Sequence, residues 1–123
     1  MRAAPGRDGV IPKERYTSQA FLDLELERLW PRVWQVACRV EQVADVGDWC
    51  EYTIGEESVL VIRSQPDTIQ AFFNACLHRG TRLASGCGHA DGTFTCPFHA
   101  WRYGIDGRLV EVVDADEFGT LPE

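Results

Sequence analysis

The chain has 123 residues, 45% of them apolar and 25% charged, with a net charge of −7 from 12 basic and 19 acidic side chains. That is enough chain for one domain with a real core and too little for two. An acidic chain without a basic stripe is poorly suited to nucleic acid, and no apolar run reaches the length of a membrane span.

Residues 1–15 are rich in Pro, Gly and charge, carry no apolar signal region, and read as a flexible N-terminal arm. A helix is predicted from Thr17 or Ser18, either of which can cap it. Leu22, Leu26, Leu29 and Val33 then share one helical face, which reads as ordinary packing. Pro31 should end or bend this helix, because the residue before Pro avoids the α region. Beyond it the apolar period changes to two. Strands are predicted at Trp34 to Cys38, Trp49 to Ile54, Ser58 to Arg63 and Ile69 to Asn74, then at Phe94-Thr95, Trp101 to Ile105 and Leu109 to Val113. Asp106-Gly107 is a strong hairpin signal between the last two. Many short strands with Gly-rich turns imply a mainly β, antiparallel domain. The acidic tail, 114–123, reads as a linker leaving the domain.

Two short clips carry the chemistry. Cys76-Leu77-His78 and Cys96-Pro97-Phe98-His99 each offer a thiolate and an imidazole, and seventeen residues separate them. Both follow predicted strands, so both fall on loops at the tip of a rigid scaffold. Two sulfurs for one iron and two nitrogens for the other is the ligand set of a [2Fe–2S] centre in which two His replace two Cys. Replacing two thiolates by neutral imidazoles makes the centre less negative, which raises its potential into a range of roughly −150 to +300 mV. Gly80, Gly86, Gly88 and Gly92 surround the clips and are expected to let backbone approach the cluster. Phe98 and Trp101 are expected to shield it. A structural zinc site is the alternative use of two Cys and two His, but the mixed Cys-x-His and Cys-x-x-His order is atypical of zinc fingers.

The remaining candidates are weaker. His89 reads as a surface loop residue and Cys87 as a free thiol in a loop. Cys38 and Cys50 fall in predicted strands, where buried packing is expected. Five Cys do not read as a disulfide framework, and with two of them clipped to His they suit a reducing compartment. A cytoplasmic location is the expectation. Arg79, Arg82 and Arg102 flank the clips as partners for a reduced centre, for an acidic protein, or for solvent.

Cys76-x-His78-Arg79-Gly80 with Cys96-Pro97-x-His99-x-Trp101 resembles the Rieske domain of ring-hydroxylating oxygenase alpha subunits. The likeness extends upstream through Phe21, Leu24, Glu25, Glu27, Trp30, Val33, Trp34 and Gln35, then Val46-Gly47-Asp48, Ile54-Gly55, Val61-Ile62-Arg63 and Ala71 to Cys76. It covers residues 16–113. The resemblance implies three small antiparallel sheets with a lead-in helix and a [2Fe–2S] cluster held by two loops. Cys76 and Cys96 would ligate one iron, and His78 and His99 the other. It further implies electrons arriving from a reductase or ferredoxin and passing to a mononuclear non-haem iron that activates O₂ for hydroxylation. That iron usually lies in the neighbouring subunit of a trimer.

Three departures sharpen the resemblance. High-potential Rieske proteins carry an extra, disulfide-forming Cys in each clip loop, and Thr81 and Phe98 stand at those positions here. Ala100 replaces the Gly usual beside the second His; its Cβ should restrict the loop without disturbing ligation. Finally, a mononuclear iron needs two His and a carboxylate, and the chain has only three His, two of them in the clips. These residues therefore read as an electron relay to a catalytic domain not among them. The alternative is a free-standing Rieske ferredoxin, against which the lead-in helix counts. The substrate, mono- or dioxygenation and the oligomeric state are not legible.

Overall fold

The computed structural model describes residues 10–119. It divides into two compact units, meeting in sequence between Gln35 and Val36. The predicted arm (1–15) and tail (114–123) lie partly outside the described residues.

In the first unit a single turn, α1 (Glu14–Thr17), overlaps the end of the predicted arm and precedes α2 (Gln19–Arg28). Ser18, one of the two predicted caps, starts α2 by accepting the Phe21 N–H on its hydroxyl at 3.3 Å. This satisfies a donor with no partner inside the helix. Gln19 bonds Asp23 one turn on, at 2.8 Å. Pro31 acts as expected: the α-helix stops before it, and Trp30–Arg32 tighten into a 3₁₀ turn. The predicted stripe is not buried. Leu22, Leu29 and Val33 each stay about two-fifths exposed, because two helices and a turn do not supply a second layer of their own. The predicted strand Trp34 to Cys38 is likewise absent. Among the described residues this segment joins no sheet, and Trp34 and Val36 are exposed.

The second unit holds the sheets. β1 (Asp48–Ile54), β2 (Glu57–Gln65), β3 (Thr68–Phe73) and β4 (Cys87–His89) form a four-stranded sheet in the order β3-β2-β1-β4. β5 (Thr93–Thr95), β6 (Arg102–Gly104) and β7 (Leu109–Glu111) form a three-stranded one. All pairings are antiparallel. The described residues thus contain two sheets rather than the three implied by resemblance. Period two explains the register: Leu60 and Ile62, both fully buried, point from β2 into the core, with Trp49 on β1 beside them. Phe94 from the second sheet meets Trp49 and Phe72 edge-on, with ring centroids 5.9 and 6.1 Å apart. At the β6–β7 turn Gly107 takes φ +87°, and the Phe72 ring lies where a Cβ would go. This core ends at Cys76, Cys96, Trp101 and Tyr103. Packing therefore delivers both clips to one place.

Candidate metal centre

The two clips are built alike. In the first, the Cys76 carbonyl accepts from Gly80 N–H at 2.8 Å, and Cys76 N–H donates to the Thr81 carbonyl at 2.8 Å. In the second, the Cys96 carbonyl accepts from Ala100 N–H at 3.0 Å, and Cys96 N–H donates to the Trp101 carbonyl at 2.8 Å. Each turn closes on a left-handed residue, Gly80 at φ +68° and Ala100 at φ +59°. Ala100 does restrict its loop, since a side chain in this region costs roughly 1–2 kcal/mol. Gly80, Gly86 and Gly92 are needed for positive φ with open space beside them, and Gly88 backs onto the Trp49 ring.

Cys76 and Cys96 are both 3% exposed, and the Cys96 side chain hydrogen bonds to Cys76. Burial by itself pushes the Cys76 thiol up. Hydrogen bonds from the Tyr103 hydroxyl, the His78 N–H, Cys96 and the Arg79 N–H outweigh burial and hold it below the ordinary value. Tyr103 is pushed up to about 12 by burial and by Cys76, so its hydroxyl keeps its proton. It donates to Cys76 Sγ at 3.2 Å and accepts the Leu77 N–H at 2.8 Å. Clip backbone and one tyrosine thus favour the thiolate, the form that binds metal.

The imidazoles of His78 and His99 lie 4.6 Å apart, centroid to centroid. Lost hydration, then the positive charges of His99 and Arg79, lower the His78 pKa, which favours the neutral ring a metal requires. Trp101 is buried and stacks on His78 at 5.0 Å and 14°, as the shielding role predicts. Phe98 instead stays exposed at the tip of its clip, 4.0 Å from the His99 ring. The described part of the acidic tail turns back on a 3₁₀ turn at Ala115–Glu117, and Phe118 meets His78 and Trp101 edge-on at 5.2 and 5.0 Å.

Among the described residues, no three His, Cys, Asp or Glu side chains are grouped for a single ion. A zinc site needs four donors around one point; two buried thiols and two imidazoles side by side, one of each from either clip, suit a centre of two irons with two protein ligands each. The residues present therefore fit the cluster predicted for them.

The other candidates lie apart. His89 is exposed on β4 and bonds Asp48 on β1 at 2.8 Å. That hydrogen bond, above all, raises its pKa. Arg82 pairs with Glu51 at 3.2 Å and Arg102 with Glu111 at 2.8 Å, while Arg79 sits 5.8 Å over the Phe98 ring. Cys38 is a free, half-buried thiol outside any strand. The free-thiol reading of Cys87 is corrected: Cys87 is joined to Cys50 in a disulfide. The two face each other in the β1–β4 register, a relation hidden because β4 is too short to announce itself.

Sequence reasoning also missed the support beneath the first clip. Asn74, 2% exposed, donates to Ser58 Oγ at 3.0 Å and the Ala84 carbonyl at 2.7 Å, and accepts the Leu83 and Ala84 N–H groups at 2.9 and 3.2 Å. Glu51 accepts from Ser58 Oγ at 2.7 Å and from Gly86 N–H at 3.1 Å. A polar residue ending an apolar strand two positions before Cys76 was the available signal.

Comparison with known proteins agrees with this geometry. Residues 33–122 match the family model of the Rieske [2Fe-2S] domain. The chain is 36% identical over 113 residues to the anthranilate 1,2-dioxygenase large subunit of Acinetobacter baylyi, spanning 90% of this chain and 24% of that protein. It is 39% identical over 118 residues to the chloroplastic choline monooxygenase of Beta vulgaris, spanning 95% and 26%. Among solved structures it resembles a quaternary ammonium Rieske monooxygenase described for carnitine oxidation and inter-subunit electron transfer (TM-score 0.81, 32% identity, 90% of this chain and 30% of that one). The chain spans about a quarter of the length of the two curated relatives.

Proposed function

The chain belongs to the Rieske [2Fe–2S] domain family, and we propose that it is the electron-transfer domain of a Rieske oxygenase alpha subunit. Cys76 and Cys96 hold one iron, and His78 and His99 the other. The observation that carries this reading is the pair of matched clips, with both thiols buried and two imidazole rings 4.6 Å apart. When bound, the cluster supplies one-electron chemistry. The chain's own residues set its surroundings. Tyr103 and the clip N–H groups donate to the Cys76 sulfur, Trp101 covers one face of His78, and exposed His99 and Phe98 present the centre to a redox partner.

Electrons come from a reductase or ferredoxin and leave for a mononuclear iron that supports O₂-dependent hydroxylation. With two of its three His in the clips, this sequence does not supply that iron's ligands. Residues 16–113 make up the electron-transfer domain, 1–15 an arm and 114–123 the start of a linker to the catalytic domain. A trimeric assembly, with the mononuclear iron in the neighbouring subunit, and a cytoplasmic location are what the family resemblance implies for this reading. Among the described residues no helix is long and apolar enough to cross a membrane. An aromatic acid, another aromatic ring or a quaternary amine is the substrate class.

The test is anaerobic reconstitution with iron and sulfide, followed by absorption and EPR spectroscopy of the reduced protein. A coloured, EPR-active product with equal iron and sulfide is expected. A colourless product that takes up stoichiometric zinc instead would overturn the reading. His99→Ala or Cys96→Ala should abolish assembly, and His89→Ala should not.

A further inference from the structure

Electron relay leaves one pair of nucleophiles unused. Cys50 on β1 and Cys87 on β4 face each other in register and are joined. They are 37 positions apart, so their bond closes a ring of chain. That ring contains Cys76 and His78, the whole first clip, and excludes the second. Closing such a ring restricts every chain conformation in which the first clip is open.

The two sulfurs are not equivalent. Cys50 is 2% exposed, while Cys87 lies exposed on the edge strand. An incoming thiolate reaches Cys87 Sγ, and Cys50 is the leaving sulfur. The free thiols of Cys76 and Cys96 are buried, so the reagent meets Cys87 first. Once reduced, Cys50 has an acceptor, the Gln42 carbonyl 3.9 Å from its sulfur. The edge does not depend on the bond alone. Glu51 N–H donates to the Gly86 carbonyl at 2.6 Å, Gly86 N–H donates to Glu51 Oε2 at 3.1 Å, and Asn74 holds residues 83 and 84. Reduction therefore loosens the ring around the first clip without dissolving the sheet. In a reducing compartment, disulfides are characteristically transient and redox-sensing rather than structural.

We propose that Cys50–Cys87 is a thiol–disulfide switch, addressed by a dithiol, whose state sets how firmly the first clip holds the metal centre. This rests on the reading of the clips as cluster ligands. In the forward step one thiolate of the dithiol bonds to Cys87 Sγ as the Cys87–Cys50 bond breaks, and Cys50 leaves as thiolate. The second thiol of the reagent then displaces Cys87. The protein gains two electrons and two protons, and the reagent becomes a cyclic disulfide.

The test uses the reconstituted, cluster-bearing chain, equilibrated with mixtures of reduced and oxidised dithiothreitol. Thiol alkylation with peptide mass analysis reads the state of Cys50 and Cys87, and bleaching by an iron chelator reads cluster release. The two cysteines should become alkylated together as the mixture turns reducing, and bleaching should quicken by about fivefold or more. The Cys50→Ser/Cys87→Ser double variant should bleach at the faster rate throughout, unaffected by the mixture. Two results would overturn the proposal: both thiols remaining alkylatable under oxidising mixtures, or one bleaching rate shared by both states and the variant. If no preparation assembles a cluster, the reading of the clips fails instead, and alkylation of the cluster-free chain still decides whether the pair bonds reversibly.

Discussion

Replacing Tyr103 by Phe removes one hydroxyl and tests the electrostatics of the centre directly. That hydroxyl donates to Cys76 Sγ at 3.2 Å, and its pKa of about 12 keeps the proton in place. A hydrogen bond to a charged group contributes about 1.5–3 kcal/mol, but the sulfur is a metal-bound thiolate in both redox states, so only the difference counts. Reduction adds negative charge that the sulfurs share, so the bond is stronger in the reduced state. Assigning about a third to a half of its worth to that difference gives ~0.5–1.5 kcal/mol. At about 59 mV per tenfold change for one electron, Tyr103→Phe should lower the midpoint potential by ~20–60 mV. The Leu77 N–H also loses its acceptor, but Leu77 is exposed and water can replace it, so the fold should persist. A redox titration followed by circular dichroism or EPR measures the shift. A potential that stays put or rises, with an unaltered EPR line shape, would refute the assigned donor direction.

Ala100→Gly should stabilise the chain by about 0.5–1 kcal/mol in urea unfolding, the relief of left-handed strain less the entropy glycine adds to the unfolded state. Gly80→Ala should cost about 1 kcal/mol, from φ alone because nothing lies within 4 Å of the added Cβ. Asn74→Ala leaves two N–H groups and a carbonyl without their partner, and urea unfolding should register a loss of about 2–4 kcal/mol. The His89–Asp48 pair gives a pH signature. A raised His89 pKa adds stability that is complete below the ordinary value of 6.5 and lost as pH rises through the raised one. A lowered Asp48 pKa, set by the Asp45 N–H and then His89, adds stability that is complete above 3.8 and lost as pH falls through the lowered one. Unfolding midpoints should therefore drop on going from mildly acidic to alkaline pH. That alkaline decline should shrink in His89→Gln, and a variant with an unchanged profile would contradict the assignment.

The clips, the helix start and most of the strands were legible because each signal is local. Val59 to Ile62 is an unbroken apolar run that becomes a largely buried strand, Ser18 precedes a helical stripe, and Asp106-Gly107 needs only its own dihedral freedom. What escaped depends on pairing between distant segments. Trp34 to Cys38 has the period of a strand, yet period gives no neighbour to bond. β4 is three residues, one of them Gly, and is a strand only because β1 lies beside it. The Cys50–Cys87 bond follows from that pairing and was hidden with it. Asn74 and Tyr103 were unread for a related reason: the partners that define their roles lie up to 23 and 27 residues away.

The matched turns of the two clips have a consequence for speed. Each cysteine is fastened on both sides by its own backbone, N–H to the carbonyl five residues on and carbonyl to the N–H four residues on. A donor frame closed in this way has little freedom to relax when charge arrives. Transfer of an electron would then leave the nuclei almost where they were, and the energy spent on rearranging the surroundings would be small. Ala100 stiffens one of these frames further, trading a little folding stability for a turn with fewer conformations to sample.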